Sequence, residues 1–220
     1  PAWAAMSEPG GILVFGRTGQ IAAALERLCR RVGRGAVFLG REAADLCDPV
    51  RVRDAVAAGR WRAVVNAAAY TAVDRAEDEP GLAHAVNAEA PGAIAEACRA
   101  QGVPLLHLST NFVFAGDAAE PYREDDAPRP LSVYGRTKLA GEIAVRASLP
   151  AHAIVRTGWV FAPEGRNFPT SVLAAGRGRA SLAMVADERG DPTPARDIAA
   201  ALLALADRIA SDGSALYGTY

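Results

Sequence analysis

The feature that most constrains this chain is an alternation. Five short apolar runs, at 11–15, 36–39, 63–65, 105–108 and 153–156, are separated by stretches of helical periodicity. Apolar runs of this length, bounded by glycine or turn residues, read as strands buried on both faces. The stretches at 19–31, 48–58, 80–101 and 134–147 read as helices. Asp48-Pro49 supplies an N-cap and a first-turn proline for the second of these, and Pro91 is expected to break the third. Residues 182–185 give a sixth strand, 197–209 a last helix, and the Pro-, Asp- and Glu-rich 117–130 a surface loop. Strands alternating with helices predict an α/β fold, a Rossmann-like doubly wound parallel sheet covered on both faces. Right-handed crossovers then put the strand C-termini on one edge, where ligands bind. Segments 16–22, 40–46, 66–71, 109–112 and 156–159 each follow a predicted strand and should meet at that edge.

Composition narrows the function classes. With 220 residues, 50% hydrophobic and 22% charged, the chain suits one large domain or one and a half. A net charge of −1 gives no reason to expect nucleic acid or an anionic membrane as partner. No apolar run reaches the length of a bilayer span. Cys29, Cys47 and Cys98 are odd in number and widely spaced, which speaks against a disulfide framework or zinc cluster and suits a reducing, cytoplasmic setting. Three histidines without HExxH or CxxC predict no transition-metal site. No spacing demands magnesium, and none excludes it. Residues 1–9 lack periodicity and a signal peptide's apolar region, so they read as a disordered leader or tag, with Met6 as an alternative start. The closing SALYGTY reads as a strand, with more chain expected after Tyr220.

Gly16-Arg17-Thr18-Gly19-Gln20-Ile21-Ala22 sits directly between a strand and a helix. Gly16 permits a tight turn, Gly19 lets backbone approach a pyrophosphate, and the helix N-terminus supplies N–H donors. Ala22 stands in the last place, where helix packs on strand. A plain strand-to-helix turn is the alternative. After the second strand an NAD site usually carries an acid for the ribose hydroxyl; here Arg41 follows it, and Arg17 lies in the glycine turn. Two guanidiniums can clamp a 2′-phosphate, which favours NADPH over NADH unless both are merely solvated.

The chain has 23 arginines and one lysine, Lys138, four residues after Tyr134. On a helix those two share a face. An adjacent ammonium stabilises a phenolate, so Tyr134 is expected to have a lowered pKa and to serve as a general acid toward a carbonyl oxygen. Ser109 and Thr110, after the fourth strand, can hydrogen-bond the same oxygen or simply cap a turn. Asn87, inside a predicted helix, either binds backbone or leads water toward Lys138, or is exposed.

These residues resemble the extended short-chain dehydrogenase/reductases and, within them, the dTDP-4-dehydrorhamnose reductases. The matching stretches run in order from about 11 to about 220 and include FGRTGQIA, NAAAYTAVDRAE, VYGRTKLAGE and RTGWVF. The resemblance implies a cofactor along Gly16, Thr18, Gly19, Gln20 and Ile21, with Asp45 and Leu46 near the adenine and Ala68, Ala69 and Tyr70 beside it. It implies Thr110, Tyr134 and Lys138 as the catalytic set, with Trp159 and Asn111 against the sugar. It further implies hydride transfer to C4 of a nucleotide-linked 4-keto-6-deoxy sugar. Where the family usually reads Ser-Thr-Asp-Tyr, this chain has Ser109-Thr110-Asn111-Phe112, and Asp187-Glu188 replaces an aspartate–glutamine pair. These departures keep other nucleotide-sugar reductases or epimerases open, as well as a non-catalytic NADP-binding subunit. The expected division is a cofactor domain over 10–158, with 183–210 packing back on it. Residues 159–182 and 211–220 then belong to a small, C-terminally truncated substrate lobe. A homodimer is compatible with all of this.

Overall fold

The computed structural model describes residues 10–186 and 190–220; the leader 1–9 and the Asp187-Glu188 pair lie outside them. Strands β1 (Ile12–Phe15), β2 (Ala36–Leu39), β3 (Ala63–Asn66), β4 (Leu105–Thr110), β5 (His152–Thr157) and β8 (Gly218–Thr219) form one sheet in the order β2-β1-β3-β4-β5-β8. Every pairing in it is parallel. The strands are short and apolar because both faces are covered. Leu13 and Phe15 of β1 pack on the side of α2 (Pro49–Ala57), α5 (Ala90–Gln101) and α6 (Val133–Ser148). Ile12 and Val14 pack on the side of α1 (Gln20–Val32) and α8 (Ala195–Asp212). The chain leaves β1 outward to β2 and returns past β1 to β3. The order therefore reverses between β1 and β3, and a crevice opens there beyond the strand ends.

Local chemistry sets the boundaries. Asp48 caps α2 through its carboxylate, accepting from the N–H groups of Val50 and Arg51. Gly33 ends α1 in the left-handed region, at φ 68°. Asp207 of α8 joins Arg34 beyond α1 at 2.7 Å, and its carbonyl takes the Arg62 guanidinium.

Two expectations need correcting, and two elements were not anticipated. The helix over 80–101 does not break at Pro91, which sits in the first turn of α5 where its missing N–H costs nothing. It is interrupted earlier, as α4 (Pro80–His84) and then a π-helical turn at Ala85–Glu89 that carries Asn87. An extra helix, α3 (Val73–Asp78), precedes it. Residues 182–185 form no strand, because β8 occupies the edge beside β5. A separate two-stranded ladder pairs β6 (Val160–Phe161) with β7 (Thr193–Pro194), and α7 (Phe168–Gly176) lies between them in sequence.

Helix α6 is pressed unusually close to its neighbours. A Cβ on Gly135 would run into the carbonyl of Phe112, and one on Gly141 into the carbonyl of Asn87. Glycine at these two places brings the face carrying Tyr134 and Lys138 against the ends of β4 and the π turn.

Candidate active site

Two adjoining clefts lie along the C-terminal edge of the sheet. The first, about 350 Å³, is lined by the 16–19 turn, Arg41, Asp45, Leu46 and residues 67–69 and 71. Gly16 has φ 111°, and a Cβ there would meet the backbone of Ala67 and Ala68 at 3.2 Å, so the protein itself requires glycine. Gly19 is different. It is the N-cap of α1 at φ −70°, and no protein atom lies within 4 Å of where its Cβ would stand. The first turn of α1 holds no acid, so its N–H groups face the cleft with their positive field uncancelled. Arg17 and Arg41 have no acidic partner among the described residues. A groove with a bare backbone at a helix N-terminus and two guanidiniums at its rim fits the pyrophosphate and 2′-phosphate of a dinucleotide.

The wall between the clefts is the segment 67–71, fixed by two buried asparagines. Asn66 accepts the Ala68 N–H at 3.2 Å, which turns its amide NH₂ toward His107 Nδ1 at 3.2 Å. His107 therefore carries its proton on Nε2, and burial holds its pKa well below the ordinary value. Asn87 accepts the Tyr70 N–H at 2.9 Å and donates to the Tyr70 carbonyl at 3.0 Å and to Thr137 Oγ1 at 3.2 Å. The Tyr70 hydroxyl points away from the wall and donates to Glu79 at 2.6 Å.

The second cleft, about 510 Å³, brings together Gln20, Ile21, Thr110, Asn111, Phe112, Tyr134, Lys138 and Trp159. It shares Thr18, Gly19, Thr71 and residues 67–69 with the first, so the two form one trough. Tyr134 is 9% exposed and meets the Phe112 ring edge-on at 5.6 Å. Burial pushes its phenol up, and the Thr110 hydroxyl beside it pulls the other way. Thr110 Oγ1 also accepts the Phe112 N–H at 3.1 Å, capping a 3-10 turn at Asn111–Val113. The capping role and the place in the cleft coexist. Lys138 is 2% exposed and donates to the Leu108 carbonyl at 2.7 Å. Burial brings its ammonium down to about 8, against the opposing pull of Glu142 one turn along α6. The expectation that Lys138 lowers the Tyr134 pKa is thus corrected: burial outweighs any such pull and the net direction is upward.

Asn111 lies where a Cβ on Gly158 would overlap its side chain, so that glycine makes room for it. Trp159 adopts φ 47°, in the left-handed region, to present its ring to the cleft. The Gln20 side chain accepts from Asn167 at 2.9 Å and donates to the Val160 carbonyl at 3.4 Å, tying α1 to the C-terminal segments. Of the residues expected at the site, Tyr70 and Asn87 line neither cleft and act through the backbone of the wall. Thr157 and Arg166 line the second cleft without having been singled out, Thr157 within the 156–159 segment expected at this edge. Thr157 follows a predicted strand and could have been found; Arg166 arrives only because the chain folds back over the cleft. Among the described residues no cluster of three or more metal-ligating side chains occurs, and no helix is long and apolar enough to cross a membrane.

Comparison with known proteins adds a second line of observation. A family model described as the RmlD substrate binding domain matches residues 10–220. A dTDP-4-dehydrorhamnose reductase of Streptomyces griseus is 46% identical over 209 residues, 94% of this chain and 66% of that protein. One from Sinorhizobium fredii is 43% identical over 204 residues, 93% of this chain and 69% of its own length. The crystal structure of dTDP-4-dehydrorhamnose reductase from Bacillus anthracis in complex with NADP superposes with a TM-score of 0.90 at 31% identity. It covers 97% of this chain and 74% of that one. The chain thus spans about two thirds of the length of the curated relatives it matches.

Proposed function

The chain belongs to the dTDP-4-dehydrorhamnose reductase family, and from that premise we propose that it reduces the C4 keto group of a nucleotide-linked 4-keto-6-deoxy sugar with NADPH. The sugar of this reading is dTDP-4-dehydro-L-rhamnose, converted to dTDP-L-rhamnose. The observation that carries it is the trough itself: Tyr134, Lys138 and Thr110 line one end and the bare Gly19 turn continues into the other.

In this reading the 16–21 turn and the first N–H groups of α1 hold the pyrophosphate, Asp45 and Leu46 flank the adenine, and Arg17 and Arg41 take the 2′-phosphate. Ala68 and Ala69 line the middle, where Asn87 fixes the wall through Tyr70. NADPH, when bound, supplies the hydride that reduces C4. Tyr134 gives the proton to the oxygen as that carbon is reduced. Its burial supports the role, because a phenol that holds its proton above the ordinary range remains a donor at neutral pH. Thr110 orients the same oxygen. Lys138, still charged at neutral pH, binds the nicotinamide ribose and stabilises the phenolate left behind. Asn111, Phe112 and Trp159 contact the sugar. The division into a cofactor domain over 10–158 and substrate segments at 159–182 and 211–220 is part of the same reading, with 183–210 packed on the cofactor side.

The experiment supplies the full-length protein with dTDP-4-dehydro-L-rhamnose generated in situ and follows NADPH absorbance at neutral pH. Oxidation that requires both sugar and protein is expected. NADPH binding without sugar-dependent oxidation would refute the substrate and leave the cofactor site.

A further inference from the structure

Glu142 is the most deeply buried acid among the described residues, with no exposed surface. It lies outside the cleft lining and one helical turn from Lys138. All its acceptor capacity is used. Oε1 takes the Ser109 hydroxyl at 2.5 Å and Arg156 Nε at 2.9 Å. Oε2 takes Arg156 Nη2 and Arg146 Nη2, each at 2.7 Å. Ser109 follows Leu108, whose carbonyl receives the Lys138 ammonium, and Arg156 precedes Thr157 on the cleft wall. One carboxylate thus joins α6 to the ends of β4 and β5 at the point where Lys138 is anchored.

We infer that Glu142 is the positioning residue for Lys138: it fixes the β4 carbonyl on which the ammonium is seated and supplies the buried counter-charge behind it. The inference rests on the reductase reading for its consequence in turnover, but the Lys138–Glu142 relationship can be read on its own. The charged and titratable groups around the pair are Arg146 on α6, Arg156 on β5, His107 on β4 and Tyr134 on α6. Burial keeps His107 neutral. The two guanidiniums exceed the single carboxylate, so removing the Glu142 charge leaves Lys138 facing net positive charge. Arg156 is fixed independently of Lys138: it donates to the Glu124 carbonyl at 3.1 Å and lies 5.0 Å from the Phe114 ring centroid. The guanidinium therefore stays when the carboxylate is neutralised.

Lys138 is the only lysine in these 220 residues, which makes the test direct. Protein labelled with ¹³Cε-lysine gives a resonance for Lys138, assigned by its loss in Lys138→Arg, and its titration reads the ammonium without turnover. Glu142→Gln is expected to move that titration down by roughly one pH unit, with Glu142→Asp restoring most of it. The alkaline limb of kcat/KM is expected to fall with it. A folded Glu142→Gln protein with an unmoved Lys138 titration would overturn the inference, even if its activity and Tm were lower, since a purely structural brace gives that result. Should Glu142→Gln not fold, Glu142→Asp alone decides: a downward shift smaller than the full effect supports the inference, and none overturns it. Wild-type protein that shows no sugar-dependent NADPH oxidation would defeat the reductase reading, while the titration still scores the pairing.

Discussion

The side-chain amide of Asn87 grips the backbone of Tyr70 at both ends, accepting its N–H at 2.9 Å and donating to its carbonyl at 3.0 Å. Two successive peptide groups in the wall of the trough are thereby held as in a sheet ladder, by a side chain that lines neither cleft. Asn87→Ala leaves the half-buried N–H and carbonyl of Tyr70 unpaired, and the fold should lose about 1–3 kcal/mol. The KM for NADPH should rise several-fold while kcat changes less. Chemical denaturation together with steady-state kinetics checks both parts.

Tyr134→Phe removes the proposed proton donor and leaves the ring on Phe112. Turnover should fall by about two to four powers of ten with NADPH affinity near that of the wild type. Fluorescence titration of NADPH alongside the absorbance assay checks it, and preserved turnover would exclude the assigned role.

Arg41→Ala should weaken NADPH by about tenfold or more and leave NADH little changed, because a charge-assisted bond to a 2′-phosphate has no counterpart in NADH. Arg17→Ala should act in the same direction. Equal losses for the two dinucleotides would remove both residues from the 2′-phosphate.

Two glycines should respond in opposite ways. Gly141→Ala drives a methyl into the Asn87 carbonyl and should cost about 2–3 kcal/mol of stability. Gly19→Ala meets no protein atom, so Tm should hold while NADPH binding falls, the methyl occupying space meant for the pyrophosphate. Thermal melts with and without NADPH separate the two cases.

The buried ammonium gives a pH dependence with a definite sign. Folding lowers Lys138 from its ordinary 10.5 to about 8. Between those values the unfolded chain binds more protons, so this group makes the cofactor-free fold more stable as pH rises through the window. Burial raises the Cys98 thiol to about 12, which pulls the other way above its ordinary 9.0. The contribution is therefore read as the difference between wild type and Lys138→Met. That difference should change from pH 8 upward and be flat below it.

The order of elements was largely legible because each strand is an apolar run with turn residues at its ends. Residues 36–39 and the start of α2 at Pro49 fall where the spacing puts them. The trough's floor was legible too, since the segments after all five predicted strands reach it. What escaped was packing over long separations. The π turn that carries Asn87 depends on Gly141, 54 positions later, letting α6 come close, and no local periodicity encodes that. The strand expected at 182–185 failed because a competing segment near 218 already fills the edge. Tyr134 and Lys138 were found as a pair, but the direction of the phenol's shift was not, because spacing carries no information about burial.

The 67–71 wall faces both compartments of the trough, and a peptide in it is pinned at Tyr70. In the proposed reading the dinucleotide runs through both compartments, and its nicotinamide end completes the surface that the sugar meets beside Tyr134. On that reading cofactor is expected to enter first and product to depart before the spent cofactor. Product-inhibition patterns in which NADP⁺ competes with NADPH, while the reduced sugar does not, would be the kinetic trace of a cofactor that forms part of the sugar's binding surface.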